Sequence, residues 1–255
     1  MRSVYAILKR ELYVYFSSPI AYVVVSIFLL LSGYFFYTAF AYFSMISVQA
    51  MQMPGAGGIN VTEMVLYPTF GNMSVIMLLM MPLLTMRLFA EEKKAGTLEL
   101  ILSYPVRETE LLFGKFTACM LIFLIMLALT WLYPFLLWLY AEPDVGPILT
   151  GYLGLFLMGA AFIALGLMVS SVTENQIVAA AISFGAILMF WLIGWGEAFA
   201  GPSLGKVLSH ISLLEHFENF SKGVIDTRDI VYYVNFNVLF LFITMRSLES
   251  KRWRG

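Results

Sequence analysis

The chain has 255 residues, 61% of them hydrophobic and only 12% charged, with a formal net charge of −1. A soluble domain is roughly 45–50% apolar, and here too little polar surface remains to cover a water-exposed fold. No basic patch with interleaved aromatics is visible, so nucleic acid is not an expected partner. The single cysteine, Cys119, permits no disulfide framework or thiolate metal site within one chain.

At the N-terminus, Val4, Leu8, Leu12 and Tyr15 recur at helical spacing, with Lys9 and Arg10 free to meet lipid headgroups. Residues 1–18 therefore read as an amphipathic helix on the membrane surface, before Pro19 turns the chain inward. The apolar run that follows is too long for a signal peptide and lacks a small-x-small cleavage site, so it reads as a retained span. Six spans are expected, at about 20–43, 69–90, 111–140, 150–172, 177–199 and 230–247. Continuous apolar runs, not short alternating strands, point to an all-α membrane protein instead of a β-barrel. Pro82 and Pro134 are the expected kinks. Between spans one and two, "MQMPGAGGIN" is a Gly-rich loop without a phosphate-binding context. In the segment 200–229, Leu213, Phe217, Phe220 and Val224 predict a short helix that packs back on the bundle or the membrane face. No internal repeat or soluble domain is visible.

Lys and Arg decide the orientation. Twelve of the fifteen fall on one side: Arg2, Lys9 and Arg10; Arg87, Lys93, Lys94, Arg107 and Lys115; Arg246, Lys251, Arg252 and Arg254. Lys206, Lys222 and Arg228 lie opposite. The positive-inside rule then places both termini and the loop 91–110 in the cytoplasm, and the segment 200–229 outside.

The span interiors contain essentially no ionisable residue. Arg87 and Lys115 lie near the cytoplasmic ends, where long side chains can snorkel, and Glu197 lies near the external end. A proton-coupled carrier would need a carboxylate or histidine near the midplane; sodium coupling through carbonyls and hydroxyls stays open. His210 and His216, six residues apart, do not share a helical face and read as solvated groups on an external helix, not metal ligands. "GPSLGKV" is one residue short of a P-loop and lacks the hydroxyl residue after Lys206. No catalytic set is expected in this chain, and if ATP is used, another subunit binds it.

The stretch "LFAEEKKAGTLELILSYPVRETE", residues 88–110, concentrates charge in a chain that has little. Glu91 to Lys94 extend span two out of the membrane, and Gly96 permits a sharp break. Thr97 can cap a new short helix, with Glu99 favourable at its N-terminal end. Leu98, Leu100, Ile101 and Leu102 need burial, and Pro105 ends the element. Such an element suggests docking against a partner protein. The bland alternative is a solvated anchoring loop.

These residues carry a resemblance. "AEEKKAGTLELILSYPV" resembles the first cytoplasmic loop of type-2 ABC exporter permeases. "LKRELYVYFSSPIAYV" is similar to the surface helix and first-span entry of that family, and "SSVTENQIVAA" (170–180) to its second cytoplasmic turn. The resemblance covers nearly the whole chain and is closest to the permease of gliding-motility-type ABC transporters. It implies a coupling helix seated in a groove of a cytoplasmic ABC ATPase present in two copies, which would bind the ATP and magnesium. Glu91 and Glu92 would form the charged junction; Gly96, Thr97, Leu98 and Glu99 the seated helix; Thr173, Glu174, Asn175 and Gln176 a smaller second contact. It further implies a bacterial inner-membrane location and a second permease copy or related membrane subunit, with a homodimer favoured. An extracytoplasmic auxiliary subunit is also compatible with it.

Span four is rich in small residues, among them Gly151, Gly154, Gly159 and Gly166, and span five has Ala179 to Ala181 and Gly185. Their first expected use is close packing within the bundle, with a dimer contact second. By resemblance, spans two and five face the substrate pathway, which makes Asn72, Met77 and Phe184 candidate lining residues, although a methionine stripe is more often ordinary packing. The rival classes are a secondary carrier or channel needing no ATPase, and a membrane scaffold for an extracytoplasmic partner.

Overall fold

A computed structural model describes residues 2–51, 60–99, 107–141, 143–198 and 201–252. Among them there are helices and no strands. Helix α1 (Arg2–Ser17) precedes α2 (Pro19–Met51); a π turn (Thr62–Leu66) leads into α3 (Tyr67–Thr85) and α4 (Arg87–Lys94). Then come α5 (Glu108–Thr130), α6 (Leu132–Tyr140), α7 (Val145–Val172) and α8 (Gln176–Leu192) with a 3-10 turn (Ile193–Ala198). The last three are α9 (Pro202–Ile211), α10 (Leu213–Ser221) and α11 (Thr227–Arg252). Among the described residues, six helical stretches are long and apolar enough to cross a membrane: Pro19–Gln49, Thr62–Lys94, Glu108–Tyr140, Val145–Val172, Gln176–Gly196 and Thr227–Ser250.

The prolines act where backbone chemistry dictates, with small offsets. The second span begins at Thr62, earlier than a reading that stops at Pro68, because Pro68 is tolerated in the first turn of α3, where its missing N–H has no helical role. Pro82 lies inside α3, which continues past it to Thr85; the Met86 N–H still donates to the Pro82 carbonyl at 2.9 Å, and the break comes only after that bond. The third span breaks at Trp131, between α5 and α6, one turn before Pro134. Pro134 cannot donate to the carbonyl of Thr130, four residues back, so the ladder opens there.

The fourth span, α7, is the centre of the bundle and packs against α3, α4, α5, α8, α10 and α11. In the apolar windows of the second and fourth spans 78% of residues are buried, against 22% in the fifth and sixth. The glycines of α7 explain how one helix accommodates so many neighbours. A Cβ at Gly151 would overlap the Phe70 ring, one at Gly159 the Phe123 ring, and one at Gly166 the Thr85 side chain. At Gly154 it would come 2.6 Å from Cβ of Phe220. The small residues of α7 thus serve packing within one chain. Gly185 on α8 differs: among the described residues nothing lies within 4 Å of its notional Cβ.

At the end of the bundle away from the charged loop, α10 lays Leu213, Phe217 and Phe220 into the core. Val224, expected on the same face, is exposed instead, because the helix ends at Ser221 and Gly223 turns with φ +89°. The Val224 N–H reaches back to the Asn219 carbonyl at 2.9 Å, closing that turn.

The packing predicts opposite outcomes for two glycines. Gly159→Leu should lower the thermal unfolding midpoint in detergent, at a cost of at least about 1–3 kcal/mol from overpacking against Phe123. Gly185→Ala should leave the midpoint unchanged or raise it.

Candidate functional site

The charged stretch starts at a helix break. Breaking the ladder at Met86 strands backbone groups of the first turn of α4, which lies buried against α7. The side chain of Ser170, from α7, satisfies them. Its Oγ accepts from the N–H groups of Phe89 at 3.0 Å and Ala90 at 3.1 Å, and donates to the Met86 carbonyl at 3.0 Å. Nearby, the Tyr15 hydroxyl of α1 donates to the Leu84 carbonyl at 2.7 Å. Burial raises the pKa of that phenol well above its usual value, so it remains a donor.

A cluster of ionic groups then joins three helices. Lys115 of α5 donates from Nζ to Oε1 of Glu11 (2.9 Å, on α1) and pairs with Oε1 of Glu92 (3.0 Å, on α4). Arg10 donates to the same Glu92 oxygen at 3.1 Å. The Lys115 side chain is only 1% exposed, and its ammonium lies 5.2 Å from the centre of the Phe89 ring. The expectation that Lys115 snorkels to water is therefore wrong: it is buried and held by two carboxylates. Arg87 is also buried, with its guanidinium 4.6 Å from the centre of the Tyr15 ring. Gly114, beside Lys115, allows the close approach of α1, since a Cβ there would lie 2.6 Å from Ile7 Cγ2.

The sequence-predicted residues divide between the two faces of this assembly. Glu92 points inward, into the ionic cluster, and Leu98 is buried in the core of its own chain. Gly96 does turn the chain, with φ +67° and its N–H bonded to the Lys93 carbonyl at 3.0 Å. The Thr97 hydroxyl donates to the Glu92 carbonyl at 3.2 Å, at the start of the helical residues 97–99. Glu91 and Glu99 are exposed. Leu100, Ile101, Leu102 and Pro105 lie outside the described residues.

The second turn sits beside the first. Lys93 Nζ donates to the Ser171 carbonyl at the end of α7. Thr173 receives the Asn175 N–H on its hydroxyl at 3.2 Å, and Asn175 caps α8 by accepting from the Ile177 N–H at 2.9 Å. Glu174 and Asn175 are exposed, and Thr173 and Gln176 are half-buried.

Of the candidate pathway residues, Met77 is enclosed within the bundle and lines no open surface. Asn72 and Phe184 are half-buried, Phe184 packing on the core from α8. His210 is exposed, as expected, but His216 needs correction. His216 is buried, with Nδ1 2.6 Å from Oδ1 of Asp229 and Nε2 3.1 Å from the His210 carbonyl. Its ring stacks on Tyr232 at 3.9 Å. It is a structural tie between α10 and α11 and not a solvated group.

Sequence reasoning missed Glu11, Lys115 and Ser170 as members of this site. For Lys115 a signal was present, a lone lysine in "FGKF" near the start of an apolar helix where an unpaired charge would be costly; Glu11, in the middle of α1 beside Lys9 and Arg10, gave no such signal. Ser170 offered none, since only the break at Met86 defines its role.

A family model described as ABC-2 family transporter protein matches residues 5–246. A permease of Escherichia coli strain K12, described as probable multidrug ABC transporter permease YbhS, is 28% identical over 193 residues, 71% of this chain and 50% of its own. The protein of the same description from Escherichia coli O157:H7 matches to the same extent. The chain spans about half the length of these curated relatives.

Removing the buried ammonium should be costly. Lys115→Met leaves Glu11 without its ion-pair partner and should lower stability by about 3–5 kcal/mol. Adding Glu11→Gln should recover part of that loss, measured by thermal unfolding of the purified protein.

Proposed function

The chain belongs to the ABC-2 family of transporter proteins, and on that premise we propose that it is the membrane-spanning permease subunit of an ATP-driven exporter. A separate cytoplasmic ABC ATPase, in two copies, binds ATP and magnesium and engages the α4–Gly96 element and the turn at 173–176. Both termini lie in the cytoplasm, and two permease copies, in the bacterial inner membrane, complete the route.

The observation that carries this reading is the way α4 is fastened. It is joined to α7 by Ser170, to α1 and α5 by the ionic cluster, and to the second turn by Lys93. A push delivered to α4 is therefore passed to three other helices, including the central one. The buried members, Glu92 and Leu98, carry that movement, whereas exposed Glu91, Glu99, Glu174 and Asn175 form the surface the ATPase meets. Nucleotide-driven closure of the ATPases supplies the differential interaction that shifts the bundle between states. The relatives' description as a probable multidrug transporter permease favours movement of a molecule over transmission of force to an external partner.

Charge reversal on the exposed face tests this without touching the core. Glu99→Lys combined with Glu174→Lys should reduce copurification of the ATPase several-fold while the unfolding midpoint of the permease stays put. Unchanged association and ATPase activity would overturn the assignment of this surface. Transport by the purified chain alone in liposomes would overturn the ATP-driven reading.

A further inference from the structure

His216, buried at the end of the bundle away from the charged loop, makes two contacts that fix its proton count. Nδ1 lies 2.6 Å from Oδ1 of Asp229, and Nε2 lies 3.1 Å from the His210 carbonyl. A carbonyl oxygen only accepts, so Nε2 carries a proton. A second proton lies between Nδ1 and Oδ1, since two lone pairs would repel at so short a distance. Oδ2 of Asp229 is engaged separately, accepting from Nδ2 of Asn219 at 2.8 Å. The pair thus holds two protons, one more than a neutral imidazole beside a carboxylate. The helices favour its ionic form. The His210 carbonyl is among the last four of α9, which lack helical partners, and a cation suits that negative end. Asp229 lies in the first turn of α11, the positive end, which suits a carboxylate.

We propose that this pair is a proton-operated latch on α9, since only the doubly protonated ring makes both bonds. Loss of a proton turns a nitrogen lone pair toward the His210 carbonyl or toward the carboxylate, and either outcome breaks a tie. The latch is complete in acid and is lost as rising pH takes the proton from the folded pair. The phenols of Tyr232 and Tyr233 donate to the Ile211 and Leu213 carbonyls and keep the chain attached when it opens. The exposed His210 ring, centred 5.5 Å from that of His216, is the one neighbour whose own protonation opposes the latch. The further charged side chains nearby in sequence are Lys206 on α9, Glu215 and Glu218 on α10, and Lys222, Asp226 and Arg228 beyond it. Glu218 pairs with Lys222 at 2.9 Å. Helices α3, α7 and α8, which also pack against α10, contain no charged residue.

The chain has two histidines, and the latch uses only the backbone of His210. His210→Gln therefore keeps both bonds, removes the opposing charge and leaves one imidazole to observe. In the purified full-length variant, NMR of the imidazole nitrogens should show both protonated at about pH 6 and one bare at about pH 9. Hydrogen exchange of the α9 amides, corrected for the intrinsic pH dependence of exchange, should speed up about tenfold between those two states. That is the factor expected for one charge-assisted hydrogen bond. Adding His216→Gln, which cannot titrate, should make the corrected exchange of α9 independent of pH. A bare ring nitrogen in the folded chain at about pH 6 would overturn the proposal. So would corrected α9 exchange that ignores pH while His216 is present.

Discussion

One ammonium group, that of Lys115, determines how the outermost part of this protein is attached to the rest. It is almost wholly buried, and two carboxylates from two other helices converge on it. Removing Lys115 leaves the buried Glu11 carboxylate without its counter-charge. Helix α1, the extension of span two and the start of span three therefore share one electrostatic tie, beside the Tyr15–Leu84 hydrogen bond and the packing of Ile7 on Gly114. Everything proposed for the charged loop depends on this, because a loop free to swing could not transmit a movement.

Around that attachment the bundle is organised by size. The central helix presents glycines where aromatic rings or a threonine arrive from its neighbours, and close backbone approach replaces the hydrophobic driving force that lipid cannot provide. The helices at the periphery keep large apolar side chains outward, as on α8 and α11 with Ile177, Met189, Val238 and Leu239. The inner spans are fixed by shape, whereas the outer ones are fixed mainly by being greasy.

The class of fold was legible because span length and apolarity are set by bilayer thickness and survive without knowledge of tertiary contacts. So was the turn at Gly96, since a residue with positive φ after a charged helix end leaves a mark in the residue type. The inward orientation of Glu92 and Leu98 was not legible. A charged residue in a loop next to a membrane is ordinarily solvated, and only a partner 82 positions away in sequence, Arg10, with Lys115 beside it, reverses that expectation. His216 was misread for the same reason: its partner Asp229 belongs to the next helix, and the spacing of two histidines said nothing about a carboxylate. Local pattern locates elements, but long-range pairing decides which way their polar side chains face.

The hydroxyl of Ser170 has a mechanical consequence. It has one proton to give and two lone pairs to offer, and all three are engaged by Met86, Phe89 and Ala90. No spare valence remains to hold α4 half-way along a slide. A slide of α4 along α7 would therefore break all three bonds together, freeing two N–H donors and a carbonyl at one step.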